Sequence, residues 1–137
     1  MTPQQLRART EAFATAVAEF AEPLLDRLIT QDQARQLLRA ADGLASNYRA
    51  AGRGRSHREF TAKIGIVLEE ADEVEGCLER LRGRGKVDES GRQRLLGESQ
   101  ELVRIFSASA ETARHNEEER RKRKRRKGSQ EGTDHIV

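Results

Sequence analysis

Eight consecutive basic side chains, Arg120, Arg121, Lys122, Arg123, Lys124, Arg125, Arg126 and Lys127, form the densest chemical signal in this 137-residue chain. Such a run neutralises phosphates without reading bases, so it points to salt-sensitive, largely sequence-independent binding of nucleic acid. With all eight in contact, the log–log salt slope would approach about −7. No aromatic residue is interleaved, which makes the run a poor platform for stacking single strands. The same charges would also serve as a solubilising tail or as a contact for an anionic membrane surface. Arginine supplies 21 of the 26 basic residues. That bias suits bidentate phosphate contacts, although a GC-rich coding sequence pushes composition the same way.

Two further groups of arginines could meet an anion. Arg35, Arg39, Arg49 and Arg53 fall two positions, about 200°, from the apolar stripe of the helix they share. They are expected to point away from the core, towards nucleic acid or towards the acidic face of a neighbouring subunit. Asp42 and Ser46 lie on the same line and make the stripe mixed. Arg53, Arg55 and Arg58 flank a helix start whose free N–H groups favour a phosphate. Ser56 and Glu59, spaced as a capping box, compete for those same donors.

The remaining reactive residue types make no recognisable constellation. A metal-dependent bundle enzyme needs inward carboxylates and Glu-x-x-His pairs. None of His57, His115 and His135 has a Glu three residues before it. Glu69, Glu70, Asp72, Glu73 and Glu75 could gather a divalent ion, but a solvated face or half of an intersubunit ion-pair set explains them more simply. Cys77 has no partner cysteine and reads as an inert core-edge residue. No Ser-His-Asp arrangement occurs, and Gly-Arg-Gly-Arg at 52–55 lacks the strand context of a dinucleotide fingerprint. The expectation is therefore a protein that is not an enzyme and carries no cofactor. Asn47, beside Tyr48, is a candidate register-fixing polar residue, with Glu70 and Glu73 as candidate partners across a helical or subunit interface. The plainer alternative is an exposed asparagine without a role.

Helices must position all of these groups. The chain is rich in Ala, Leu, Glu and Arg and poor in aromatics and Pro, which favours an all-α fold. Thr2 as N-cap and Pro3 at the first helical position open a helix carrying Leu6, Phe13, Val17, Phe20 and Leu24 on one stripe, and Pro23 is expected to bend or end it. Thr30 and Gln33 read as a capping box for a second helix with Leu37, Ala41, Leu44, Tyr48 and Ala51 at heptad spacing, broken by Gly52 and Gly54. Ser56 and Glu59 launch the third, in which Phe60, Ile64, Val67, Ala71, Val74, Leu78 and Leu81 alternate steps of four and three. Gly83 and Gly85 end it. After Asp88 a fourth helix carries Leu95, Leu102, Phe106, Ala110 and Ala113, interrupted by Ser99. Glu117, Glu118 and Glu119 precede Arg121, Lys122 and Arg123 by four residues, the stabilising orientation for ion pairs. The basic run is therefore expected to extend this helix, with a stop at Gly128 and a disordered end.

Four amphipathic helices with short connections pack most simply as an antiparallel up-down-up-down bundle over residues 1–119, with 120–137 as basic helix extension and disordered tail. Residues 1–119 hold 18 basic and 21 acidic side chains, a net −3, while 120–137 hold 8 and 2, a net +6. A lone cysteine excludes an intrachain disulfide, and neither a signal peptide nor a membrane-length apolar run is present, so a cytoplasmic protein is expected. Leu38, Ile66, Leu96 and Val103 lie outside the main stripes and raise self-association as an alternative to wide stripes in a monomer.

The stretch Arg39–Glu73, and within it SNYRAA at 46–51, Arg53, Arg55 and Ser56, Glu59-Phe60, KIGIV at 63–67 and EEADE at 69–73, resembles the four-helix bundle protein family that includes proteins encoded in intervening sequences of bacterial 23S ribosomal RNA genes. The resemblance spans roughly residues 5–115 and leaves the basic tail as an addition. It implies a homopentamer. It also implies an accessory role with RNA or DNA, since a relative of this architecture assists retroelement reverse transcriptases and binds both polymerase and nucleic acid. A protein-interaction scaffold without a direct nucleic-acid role is the alternative.

Overall fold

A computed structural model describes residues 1–136, with side chains as far as Gln130. Val137 and the side chains of 131–136, His135 among them, lie outside the described residues. Four helices, α1 (Pro3–Ala21), α2 (Gln31–Ala51), α3 (His57–Arg80) and α4 (Glu89–Ile136), account for nearly all of the chain, and no strand occurs among the described residues.

Local chemistry sets most of the boundaries. Thr2 and Gln5 close a reciprocal capping box, with Gln5 N donating to Thr2 Oγ1 at 3.1 Å and Thr2 N to Gln5 Oε1 at 2.9 Å. Pro23 ends α1, and Glu22–Asp26 tightens into a 3₁₀ turn. Ser56 caps α3 by accepting from Glu59 N at 3.1 Å, while the Glu59 carboxylate accepts from Arg55 N rather than Ser56 N, at 3.2 Å. The box is thus closed one residue upstream. Gly83 and Gly85 sit at φ +71° and +70°, the left-handed region that glycine enters without a Cβ clash, and turn the chain into α4. Asp88 accepts from Gly91 N at 3.1 Å and starts that helix.

Two expectations fail for identifiable reasons. Thr30 is not a capping-box residue: its buried hydroxyl donates to the Leu24 carbonyl at 2.8 Å, an acceptor freed by the 3₁₀ turn. Nor does Gly128 stop α4, which continues to Ile136. Gly128 has no positive φ, and a glycine inside a helix weakens it without ending it.

The heptad positions bury as their spacing requires. Val17, Leu37, Leu44, Val67, Ala71, Val74, Leu78, Leu81, Leu102 and Phe106 are fully enclosed in one core. Each large side chain taken out of water contributes about 1.5–3 kcal/mol. Leu38, Leu96 and Val103 pack half-buried on the same core, so wide stripes within one chain account for three of the four supernumerary residues; Ile66 is exposed. A satellite cluster of Ala51, Ile64 and Ala110, flanked by Tyr48, Phe60 and Leu68, closes the end nearest the α2–α3 connection.

Cross-contacts join successive helices end to end. Near its C-terminus α2 meets α1 through Arg49 and Glu11 at 2.6 Å. Its start meets the end of α3 through Gln33 and Arg80 at 3.0 Å. The end of α3 meets the start of α4 through Leu78 and Arg92 at 3.2 Å. Between α1 and α4 the contact is sparser, spanned by Arg9 and Glu98 at 2.6 Å beside an open groove.

Candidate nucleic-acid interface

Among the described residues the last buried one of α4 is Ala113, and from Arg114 to Gln130 the helix is exposed apart from half-buried Glu117 and Glu119. The protein would lose nothing from its core if this segment were charged, and it is. Beside the segment lies the first turn of α3. His57 Nε2 stands 3.3 Å from the Ala113 carbonyl oxygen and so pins the start of α3 to the point where α4 leaves the core.

A groove of about 850 Å³ opens between these elements, lined by Ser56, His57 and Arg58 on one side and Glu117, Arg120, Arg121, Arg123, Lys124, Arg126, Lys127 and Gln130 on the other. Seven of those side chains are cationic and one is a carboxylate. Arg121 reaches Glu117 at 3.5 Å and Lys122 reaches Glu119 at 3.6 Å, one-turn pairs between an exposed cation and a half-buried carboxylate that add modestly to the helix. A cationic wall of this density can neutralise several phosphates at once, with Arg offering paired donors to each.

The other arginines divide by position. Arg53, Arg55 and Arg58 are exposed on or next to the α2–α3 connection, at the same end of the molecule as the groove. Arg35 and Arg39 are exposed near the opposite end of α2, and Arg35 bonds its own turn through Asp32 at 3.4 Å and Gln31 at 3.3 Å. Arg49 does not point outward as expected. Half-buried, it clamps Glu11 of α1 with two nitrogens at 3.0 and 2.6 Å, because a carboxylate on the adjacent helix is within reach. The expected four-arginine face on α2 is therefore not one surface.

The residues singled out for an interface also have places within the chain. Asn47 donates to the Gly43 carbonyl one turn back at 2.8 Å, and the Glu70 carboxylate of α3 lies against that same glycine. Tyr48 is half-buried with its ring 5.3 Å from that of Phe106, and burial pushes its phenol above the ordinary value. Glu73 pairs with Arg80 at 3.6 Å. Burial likewise raises the Cys77 thiol, leaving it a poor nucleophile. Among the described residues no group of three or more His, Cys, Asp or Glu side chains converges to hold a metal. None of their helices is long and apolar enough to cross a membrane.

The approach of Arg58 to the basic run has no signature in the sequence. So too the α1–α4 groove, lined by Phe13, Ala16, Phe20 and Leu95 with Arg9, Glu19, Arg94 and Glu98 at its rim, follows from packing that no local pattern reveals.

No protein-family model matches the chain, and no curated protein matches it. Among solved structures it is similar to a protein of unknown function from the S23 ribosomal protein family of Bacteroides thetaiotaomicron, with 22% identity and a TM-score of 0.69 over 76% of this chain and 96% of that one. At that identity the likeness is one of fold, an all-helical bundle.

Proposed function

We propose that this chain is a non-enzymatic helical-bundle protein that binds nucleic acid through its phosphates, with the basic wall of α4 and Arg58 as the contact surface. The observation that carries the reading is the groove at the foot of the α4 extension, where seven cations face one carboxylate. The body of the molecule is net negative, so attraction for a polyanion is concentrated there. Fluorescence anisotropy of labelled RNA and DNA over a salt series tests it. Wild-type protein should bind with a steep negative log–log slope. Replacing Arg120, Arg121, Lys124 and Lys127 together by Gln should flatten that slope by about 3 to 4, as expected for four lost phosphate contacts. Unchanged affinity in that variant would sink the reading.

The finer architectural proposal is an antiparallel up-down bundle of the 23S rRNA intervening-sequence type, assembled as a cytoplasmic homopentamer. The end-to-end contacts between successive helices support the first part, and the resemblance of residues 39–75 supports the rest. Five copies would bring 40 tail cations into one assembly, so that weak individual contacts add by avidity. The same resemblance suggests a protein partner such as a reverse transcriptase. A scaffold that docks a partner protein is the second reading. It is favoured by the open, partly apolar α1–α4 groove and by the exposure of Leu28 and Ile29, at 85% and 67%.

A further inference from the structure

We infer that the nucleic acid taken by this site is duplex DNA, with the α4 extension lying in the major groove; the inference rests on the phosphate-binding reading above and specifies its ligand. Four observations point there. The first is reach. Residues 114–130 continue α4 beyond Ala113, the last buried residue among those described, so about 26 Å of helix extends past the core.

The second is how charge is distributed around that helix. Eight consecutive basic residues advance 100° each and cover every azimuth. Arg121 and Lys124 line the groove beside α3, whereas Lys122 and Arg125 do not. A membrane or a flat protein patch would engage one side of such a helix. A nucleic-acid groove flanked by two phosphate walls engages both.

The third is fit. An α-helix with its side chains is about 10–12 Å across, and the major groove of B-form DNA is about 12 Å wide. In A-form RNA the major groove is deep and narrow and does not admit a helix. The fourth is what the extension lacks: residues 114–137 hold no Phe, Tyr or Trp, so bases of a single strand find no stacking surface there. Arg58, with Arg53 and Arg55 on the adjoining connection, is placed to meet the flanking backbone where the helix enters.

The test uses full-length protein and four probes: a short DNA duplex, an RNA duplex of the same sequence, and each separated DNA strand, titrated by anisotropy over a KCl series. The DNA duplex should bind at least about tenfold tighter than the RNA duplex, given the difference in groove width. Methyl green, a major-groove ligand, should compete, and distamycin, a minor-groove ligand, should not. Two full-length double variants complete the experiment, Arg121→Gln with Lys124→Gln, and Lys122→Gln with Arg125→Gln. Each should flatten the DNA salt slope by about 2, because both faces of the helix meet phosphate. Equal or tighter binding of the RNA duplex or of single strands, competition by distamycin alone, or a loss confined to the first variant would overturn insertion into DNA while phosphate binding stood. Absence of salt-dependent binding to every probe would instead remove the phosphate-binding reading itself.

Discussion

The imidazole Nε2 of His57 lies 3.3 Å from the carbonyl oxygen of Ala113, joining the first turn of α3 to the last buried turn of α4. A carbonyl oxygen only accepts, so the facing nitrogen donates. From Arg114 to Gln130 α4 has no core to rest on, and its direction relative to Arg58 is set here. The Phe60 ring stands 6.5 Å from the imidazole, and Thr61 Oγ1 donates to the His57 backbone carbonyl at 2.9 Å within the same first turn of α3.

Replacing His57 by Ala should therefore act mainly on the extension. Loss of one partly buried hydrogen bond costs about 0.5–1.5 kcal/mol of stability. Hydrogen exchange by mass spectrometry should show faster exchange in peptides covering 112–120, with those covering 67–78 unchanged. Equal protection of the 112–120 peptides in both proteins would mean that the joint does not hold α4.

At the other end of the molecule, Arg92 is 4% exposed and binds in two directions. One nitrogen donates to the Leu78 carbonyl at 3.2 Å, satisfying an acceptor at the end of α3. The others clamp Glu89 at 2.8 and 2.6 Å and hold its carboxyl down at about 2, against an ordinary 4.5. A carboxyl whose folded pKa is depressed stabilises the fold above its unfolded value, and that stabilisation is lost as pH falls from about 4.5 towards 2. The pair's contribution to the thermal midpoint should consequently be full and independent of pH near neutrality and fall through that window. In Arg92→Met, NMR titration should return Glu89 to the ordinary carboxylate range, and the orphaned Leu78 carbonyl should cost about 1–3 kcal/mol. A Glu89 midpoint near 2 in the variant would show that Arg92 is not the cause.

Sequence pattern revealed the core more fully than the site. Ile64, Val67, Ala71, Val74, Leu78 and Leu81 are all buried, because a three-four repeat constrains one helix face whatever the partner. Thr30 misled because its spacing to Gln33 is a local signal, whereas the acceptor it uses, Leu24 O, exists only after Pro23 has forced the 3₁₀ turn. Arg49 misled because azimuth on one helix says nothing of a carboxylate on the next. The groove was legible only in halves. Arg58 and the basic run each suggested phosphate, but their juxtaposition depends on how far α4 continues past α3, a property of packing over a long sequence separation.

Phe106 is fully buried, and its ring meets Tyr48 at a tilt of 57°. Phe106→Ala should cost about 3–5 kcal/mol, the transfer loss of a large side chain plus its cavity. Because burial raises the Tyr48 phenol, folding contributes stability below its ordinary value of 10, and that is lost as pH rises through the higher folded value. Opening the cavity admits water, so phenolate absorbance of the folded Phe106→Ala protein should appear at lower pH than in wild type. A shift in the opposite direction would contradict burial as the cause.

The same glycine-to-alanine change should carry opposite signs at different places in the chain. Gly97 lies exposed within α4, and a Cβ there would meet nothing within 4 Å. Gly97→Ala should accordingly stabilise by about 0.8–1 kcal/mol through helix propensity alone. At Gly43 a Cβ would come within 2.5 Å of Glu70 Oε2, the mobile end of a long side chain, so Gly43→Ala should gain less than Gly97→Ala as Glu70 swings aside. Gly83 has the same open space as Gly97 but a φ of +71°, where a Cβ costs about 1–2 kcal/mol, so Gly83→Ala should destabilise. Urea midpoints with unchanged m-values would measure all three. If Gly83→Ala proved as stabilising as Gly97→Ala, the left-handed turn between α3 and α4 would be wrong, because space alone does not distinguish the two positions.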